Sequence, residues 1–153
     1  MIIVFEMSTD DDIVGTPLSA GWVPENARYT WNQINQQHSL NIPAGAVIVV
    51  VAHGTNTTIG NEGPTLNITA DQFLAIVHHH MQPGYAPAAI YISTCGDEIA
   101  GFAAGVVLCA EANQMWRHTE IYGHHDDVSG PVPAPSPNSV EWDPIYQGRT
   151  RRD

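Results

Sequence analysis

Two uninterrupted apolar runs, each ending in a reactive side chain followed by glycine, constrain this chain more than any other feature. The first is Val47-Ile48-Val49-Val50-Val51-Ala52-His53-Gly54 and the second is Ala89-Ile90-Tyr91-Ile92-Ser93-Thr94-Cys95-Gly96. A strand with no polar alternation has to be covered on both faces, which is the habit of central strands in parallel sheets. Parallel neighbours need a crossover between them, and the intervening sequence supplies one. Thr69-Ala70-Asp71-Gln72 reads as a capping box that opens a helix running to about Gln82, with Phe73, Leu74, Val77 and Met81 as its core stripe and Pro83-Gly84 as its stop. With both strands parallel in one sheet, His53 and Cys95 emerge at the same edge, where open α/β sheets bind ligands.

The remaining segments extend this pattern. Ile2 to Phe5 reads as a first strand, and Asp10-Asp11-Asp12 after it as a solvated acidic turn. Ala27, Trp31 and Ile34 recur at helical spacing between Pro24 and His38, predicting a helix there, and Gly60-Asn61-Glu62-Gly63-Pro64 marks a small hairpin or loop. Ile99, Phe102, Ala103, Val106 and Ala110 predict another helix, followed by a short strand from Thr119 to Gly123 and then His124-His125-Asp126-Asp127. His78, His79 and His80 occupy consecutive helix positions, so their side chains fan apart and read as a polar face. Strands alternating with helices predict an α/β protein, a three-layer α/β/α sandwich with a mostly parallel sheet. Residues 1–129 are expected to form that domain. Residues 130–153 begin with a proline-rich stretch that sustains neither helix nor ladder, and continue into a tail whose Trp142, Ile145 and Tyr146 are apolar enough to dock back.

Composition narrows the partners. At 153 residues and 43% hydrophobic content the chain can bury one substantial core. Sixteen acids stand against five arginines and no lysine, a formal net charge of −11, so the surface repels phosphate backbones and no nucleic-acid partner is expected. The sequence also has no apolar run of about 18 residues and no basic-flanked leader, so no membrane partner is expected. The expected location is cytoplasmic, or inside a host cell reached by a non-classical secretion route. The missing lysines fit genomic composition or a halotolerant source first, and second an effector that escapes ubiquitin attachment. Cys109 follows Gly105-Val106-Val107-Leu108 and reads as a small apolar helix residue, which argues against a disulfide scaffold.

A histidine beside a cysteine is a minimal nucleophilic machine, because imidazole takes the thiol proton and the thiolate attacks a carbonyl. Ala52-His53-Gly54 after one buried strand, a crossover helix, then Ser93-Thr94-Cys95-Gly96 after a second resembles the caspase-like cysteine peptidases. That group includes caspases, clostripain and gingipains, separase, and the autoprocessing domains of large bacterial toxins. The resemblance covers roughly residues 46–125. It implies a caspase-like fold and a protein or peptide substrate, with His53 as general base and acid, Cys95 as nucleophile, the amides of Gly54 and Cys95 as the oxyanion hole, and no cofactor. Ser93 stands where members that cleave after basic residues carry aspartate, and no arginine adjoins either motif, so the resemblance implies a neutral or apolar residue before the scissile bond. Inositol hexakisphosphate activation would need a basic patch that the chain lacks, and no EF-hand spacing is present.

Cys95 precedes a helix start that favours thiolate, whereas Asp97 and Glu98 in that first turn oppose it. Asp97 reads either as a helix-start acid bonded to Thr94 or as a substrate-pocket residue. His124 is expected to line the cleft. A different chemistry uses His53, Cys95 and His124 or His125 as zinc ligands, and a third class is a non-catalytic interaction domain whose acidic surface meets a basic partner.

Overall fold

The computed structural model describes residues 1–19, 22, 28–94, 99–124, 131–136 and 142–146. Its elements are β1 (Ile2–Glu6), β2 (Arg28–Tyr29), α1 (Trp31–Ile34), β3 (Val47–Gly54), β4 (Thr58–Gly60), β5 (Asn67–Thr69), α2 (Ala70–His80), β6 (Ala89–Thr94), α3 (Ile99–Ala112), β7 (Glu120–His124) and β8 (Trp142–Tyr146). The sheet runs β2-β1-β3-β6-β7-β8, with β4 and β5 as an antiparallel extension of β3. Strands β2, β1, β3, β6 and β7 are parallel and β8 returns antiparallel along β7. The chain is therefore an α/β protein with a mixed, mostly parallel sheet. No helix among the described residues is long and apolar enough to cross a membrane.

Right-handed crossovers explain which face each connection occupies. From β2 to β3, β3 to β6 and β6 to β7 the chain advances in one direction across the sheet, so α1, α2 and α3 all fall on the same face. There Ile34, Phe73, Leu74, Val77, Phe102, Ala103, Val106 and Ala110 pack on Ile3, Phe5, Ile48, Val50, Ala52, Ile90 and Ile92. The step from β1 to β2 runs the other way, and its connection crosses the opposite face. Ile13, Leu18, Trp22 and Val132 cover Val4, Val49, Val51, Tyr91, Tyr122 and Trp142 on that side. In place of the second helical layer that the alternation predicts, irregular chain covers this face among the described residues. Asp10 to Asp12, Gly15, Thr16-Pro17 and Pro24 make that connection a poor helix former.

This strap is held at both ends. Arg28 Nε donates to the buried carboxylate of Glu6, Arg28 Nη1 donates to Thr16 O at 2.7 Å, and Gly15 N–H donates to the same Glu6 oxygen at 3.2 Å. Ser19 N–H donates to Val132 O and Val132 N–H to Pro17 O, both at 2.8 Å, while Trp22 Nε1–H also donates to Val132 O, at 3.0 Å. Within the described part of the proline-rich stretch, residues 131–136, Val132 pairs with Leu18 and covers this face, and the tail beyond it supplies β8. Trp142 is buried edge-on against Tyr91, which stacks on its cross-strand partner Tyr122 at 4.4 Å. Pro144 is tolerated because β8 is an edge strand.

Two local expectations need correction. The helix predicted from Pro24 to His38 is one turn, Trp31–Ile34, because Thr30 and Gln33 form a capping box that starts it there and Asn35 ends it. Arg28 and Tyr29 are drawn into β2 instead, and residues 23–27 lie outside the described residues. The second correction concerns His80. It is not part of a polar face but is fully buried at the end of α2, against Phe5. Leu40 N–H donates to its Nδ1 at 3.1 Å and its Nε2 lies against Ile34 O. A backbone N–H only donates and a carbonyl only accepts, so the ring is the neutral Nε2–H tautomer. The Thr69 and Gln72 capping box and the Phe73, Leu74, Val77 and Met81 stripe of α2 are as expected.

Burial lowers the His80 pKa from 6.5, partly offset by the bond to Ile34. The unfolded chain, with an ordinary imidazole, binds the proton more readily, so this group leaves stability unchanged above about pH 6.5 and subtracts from it as pH falls below. The expected loss approaches about 1.4 kcal/mol per pH unit until the folded pKa is reached. Urea unfolding at pH 5.0 and 7.5 checks it: His80→Gln, which keeps one donor and one acceptor, should narrow the difference seen in the parent.

Candidate functional site

The strand order creates a crevice. Chain leaving β1 turns toward β2 and chain leaving β3 turns toward β6, so the carboxyl ends of β1 and β3 flank a topological switch point, the usual ligand position in open α/β sheets. His53 is the penultimate residue of β3 and has the parity of Val49 and Val51, which face the strap. The loop after β1 delivers Asp10 and Asp12 to it. His53 Nε2 lies 3.0 Å from Asp12 Oδ1 and 3.4 Å from Asp10 Oδ2, and the three side chains are 14%, 63% and 28% exposed for His53, Asp12 and Asp10. An ionised carboxylate only accepts, so Nε2–H donates to Asp12 and the neutral ring keeps Nδ1 as its acceptor. Among the described residues Nδ1 has no hydrogen-bond partner.

Asn61 fixes this arrangement from below. It is buried, its Oδ1 accepts from Ser8 Oγ at 2.7 Å and Thr9 N–H at 2.8 Å, and its Nδ2 donates to Thr9 Oγ1 at 2.7 Å and Thr65 Oγ1 at 2.8 Å. All four amide positions are used, which ties the loop after β1 to the β4–β5 hairpin. Glu62 N–H then donates to Asp10 Oδ2 at 2.7 Å. A cleft of about 390 Å³ opens beside the imidazole, lined by His53, Gly54, Thr58, Ile59, Asn61 and Glu62.

The β3–β6 ladder sets the other wall. It runs in register from Val47–Ala89 to Ala52–Thr94. Gly54 lies close against Thr94, since a Cβ at position 54 would sit 3.0 Å from Thr94 Cγ2. Gly101 in the first turns of α3 is similarly close to Asn56, so the beginning of α3 leans on the loop after β3. Ser93, a predicted substrate-binding residue, is buried beneath this edge, in register with Val51. His124 ends β7, two strands from β3 or about 10 Å by strand spacing. Cys95, Gly96, Asp97 and His125 lie outside the described residues. Cys109 is in α3, where a hydrogen bond to Asp71, burial, and the Asp71 charge push its thiol up to about 11.

Sequence reasoning missed Asp10, Asp12 and Asn61. Three adjacent aspartates read as a solvated turn, yet a first strand parallel to β3 has to send its following loop to the same edge as His53. That topological rule was the available signal. No family model, curated protein or solved structure matches the chain.

The hairpin turn depends on Gly60, whose φ is +143° and whose added Cβ would fall 2.3 Å from Leu66 O. Gly60→Ala should destabilise the protein by about 1–3 kcal/mol. Gly63→Ala, with open space at its Cβ, should leave the thermal midpoint nearly unchanged. Equal melting of the two variants would show that the hairpin does not need this conformation.

Proposed function

We propose that the chain is a cysteine peptidase of caspase-like architecture, in which Asp12, His53 and Cys95 act in sequence. One observation carries the reading: the β3–β6 register ends at Ala52–Thr94, and the next residue of each strand segment is His53 in one and Cys95 in the other. The acidic loop adds support that the motifs alone lacked. Asp12 holds the imidazole by Nε2, which leaves Nδ1 as the nitrogen that accepts a proton.

In this mechanism His53 Nδ1 takes the Cys95 thiol proton and the thiolate attacks the peptide carbonyl carbon. Negative charge develops on the carbonyl oxygen, where the amides of Gly54 and Cys95 stabilise it; preorganised donors of this kind are worth about 3–4 kcal/mol each. Collapse breaks the C–N bond, the amine leaves with the proton returned by His53, and a thioester remains on Cys95. Water, deprotonated by the same imidazole, hydrolyses the thioester and restores the thiol. Close packing at Gly54 supports its role, because any side chain there would crowd Thr94. Asp12 orients the ring and stabilises its imidazolium form.

Cys95→Ala should abolish peptide hydrolysis with an unchanged thermal midpoint, and His53→Ala should lower kcat about 10²- to 10⁴-fold. Incubating the full chain and its Cys95→Ala variant, with mass spectrometry for new termini, checks this on the chain's own peptide bonds. Iodoacetamide at pH 7 should label Cys95 first, because a thiol with a pKa of about 11 is thiolate in only about one molecule in ten thousand. Equal, slow labelling of both cysteines would sink the activated-thiol mechanism.

A further inference from the structure

We infer that Asp10, Asp12 and His53 form a binding site for one divalent transition-metal ion, with Zn²⁺ as the fitting class, and that occupancy switches off the hydrolase. The inference about occupancy rests on the peptidase reading; the site itself does not. One ligand atom from each of Asp10, Asp12 and His53 lies within 4.8 Å of the other two. Zinc bonds of about 2.0–2.2 Å at tetrahedral angles separate neighbouring donors by about 3.3–3.5 Å. The imidazole nitrogen is 3.0 Å from one carboxylate oxygen and 3.4 Å from the other, close to that separation, and Asp12 is exposed enough to adjust around an ion.

Charge and donor type point the same way. Two carboxylates balance a dication, and among the described residues no basic side chain other than His53 pairs with Asp10 or Asp12. Arg28 is committed to Glu6 and Thr16. An imidazole in the set selects zinc and its neighbours over calcium or magnesium, which prefer oxygen alone. Two of the three ligands are held in place before any ion arrives: His53 by its pairing with Gly60 in the β3–β4 ladder and Asp10 by the Glu62 N–H bond, with Asn61 locking the loop beneath. The remaining coordination positions face solvent and the cleft, so the ion would carry water. This donor set shares His53 with the zinc arrangement expected from sequence, but has Asp10 and Asp12 in place of Cys95 and His124 or His125.

Metal here competes with Asp12 for Nε2. Zinc takes the Nε2 lone pair, so the single proton of the neutral ring moves through solvent from Nε2 to Nδ1, leaving no nitrogen free to accept the thiol proton. A ring so occupied cannot become the imidazolium that the mechanism requires, so bound zinc inhibits.

Isothermal titration of the full chain with ZnCl₂ tests the site. One ion per chain should bind to the parent and to Cys95→Ala alike, and Asp12→Asn or His53→Gln should weaken it at least about tenfold. Asp12 is largely exposed, so its substitution leaves the fold in place. Absence of stoichiometric binding, binding unchanged by both substitutions, or binding lost in Cys95→Ala would each overturn the proposal. Peptide hydrolysis by the parent should fall in step with zinc occupancy and return with chelator; undiminished hydrolysis at saturation would overturn the placement on His53. If no hydrolysis is found in metal-free protein, the peptidase reading fails while stoichiometric, Asp12-dependent binding still upholds the metal site.

Discussion

Six consecutive in-register pairs between β3 and β6, from Val47–Ala89 to Ala52–Thr94, are the constraint on which the rest of this structure depends. Because both strands run the same way, their carboxyl ends lie together, and β1 joins β3 in the same sense through Glu6–Val51. A slip of one residue would turn Val49, Val51 and Tyr91 toward the helices and Ile48, Val50 and Ile92 toward the strap, exchanging two packed faces at once. Burial on both sides therefore sets the register more firmly than the backbone bonds could. The site inherits its geometry from that choice.

The two faces are covered by different means, and the difference has functional weight. Helices α2 and α3 form a regular layer on one side, joined by Phe73 against Phe102. Among the described residues irregular chain covers the other side, held by the Glu6–Arg28 pair and the backbone bonds of Pro17 and Ser19 with Val132. The face on which the described residues form no helix is the one toward which His53 points. Loops there carry polar and acidic side chains at positions that a helix would have spent on packing, which is how Asp10 and Asp12 come to stand beside an imidazole.

Most of the fold was legible in the chain because its signals are local. The apolar runs of β3 and β6, the Thr69–Gln72 capping box and the apolar period of α3 each fall within a dozen or so residues. His80 shows the limit of such reading: it is the last of three consecutive histidines, and only the return of Ile34 and Leu40 against α2 makes it a buried, neutral, doubly bonded ring. The segment from Pro24 to His38 shows the same limit differently. Its helical spacing is real at Trp31 and Ile34, but pairing of Arg28 and Tyr29 with β1 outweighs propensity in so short a stretch.

What the amino-acid order determined by itself was a mostly parallel sheet with a histidine at the end of one central strand and, in sequence, a cysteine directly following another, since hydrophobic pattern and crossover length suffice for that. Tertiary structure alone decided that an acidic loop some forty positions upstream would meet His53, and that a buried asparagine would hold it there. The physical reason is separation along the chain. Asp12 and His53, like Ser8 and Asn61, are brought together only by strand order and right-handed connection, and no local pattern encodes a contact between loops that belong to different strands.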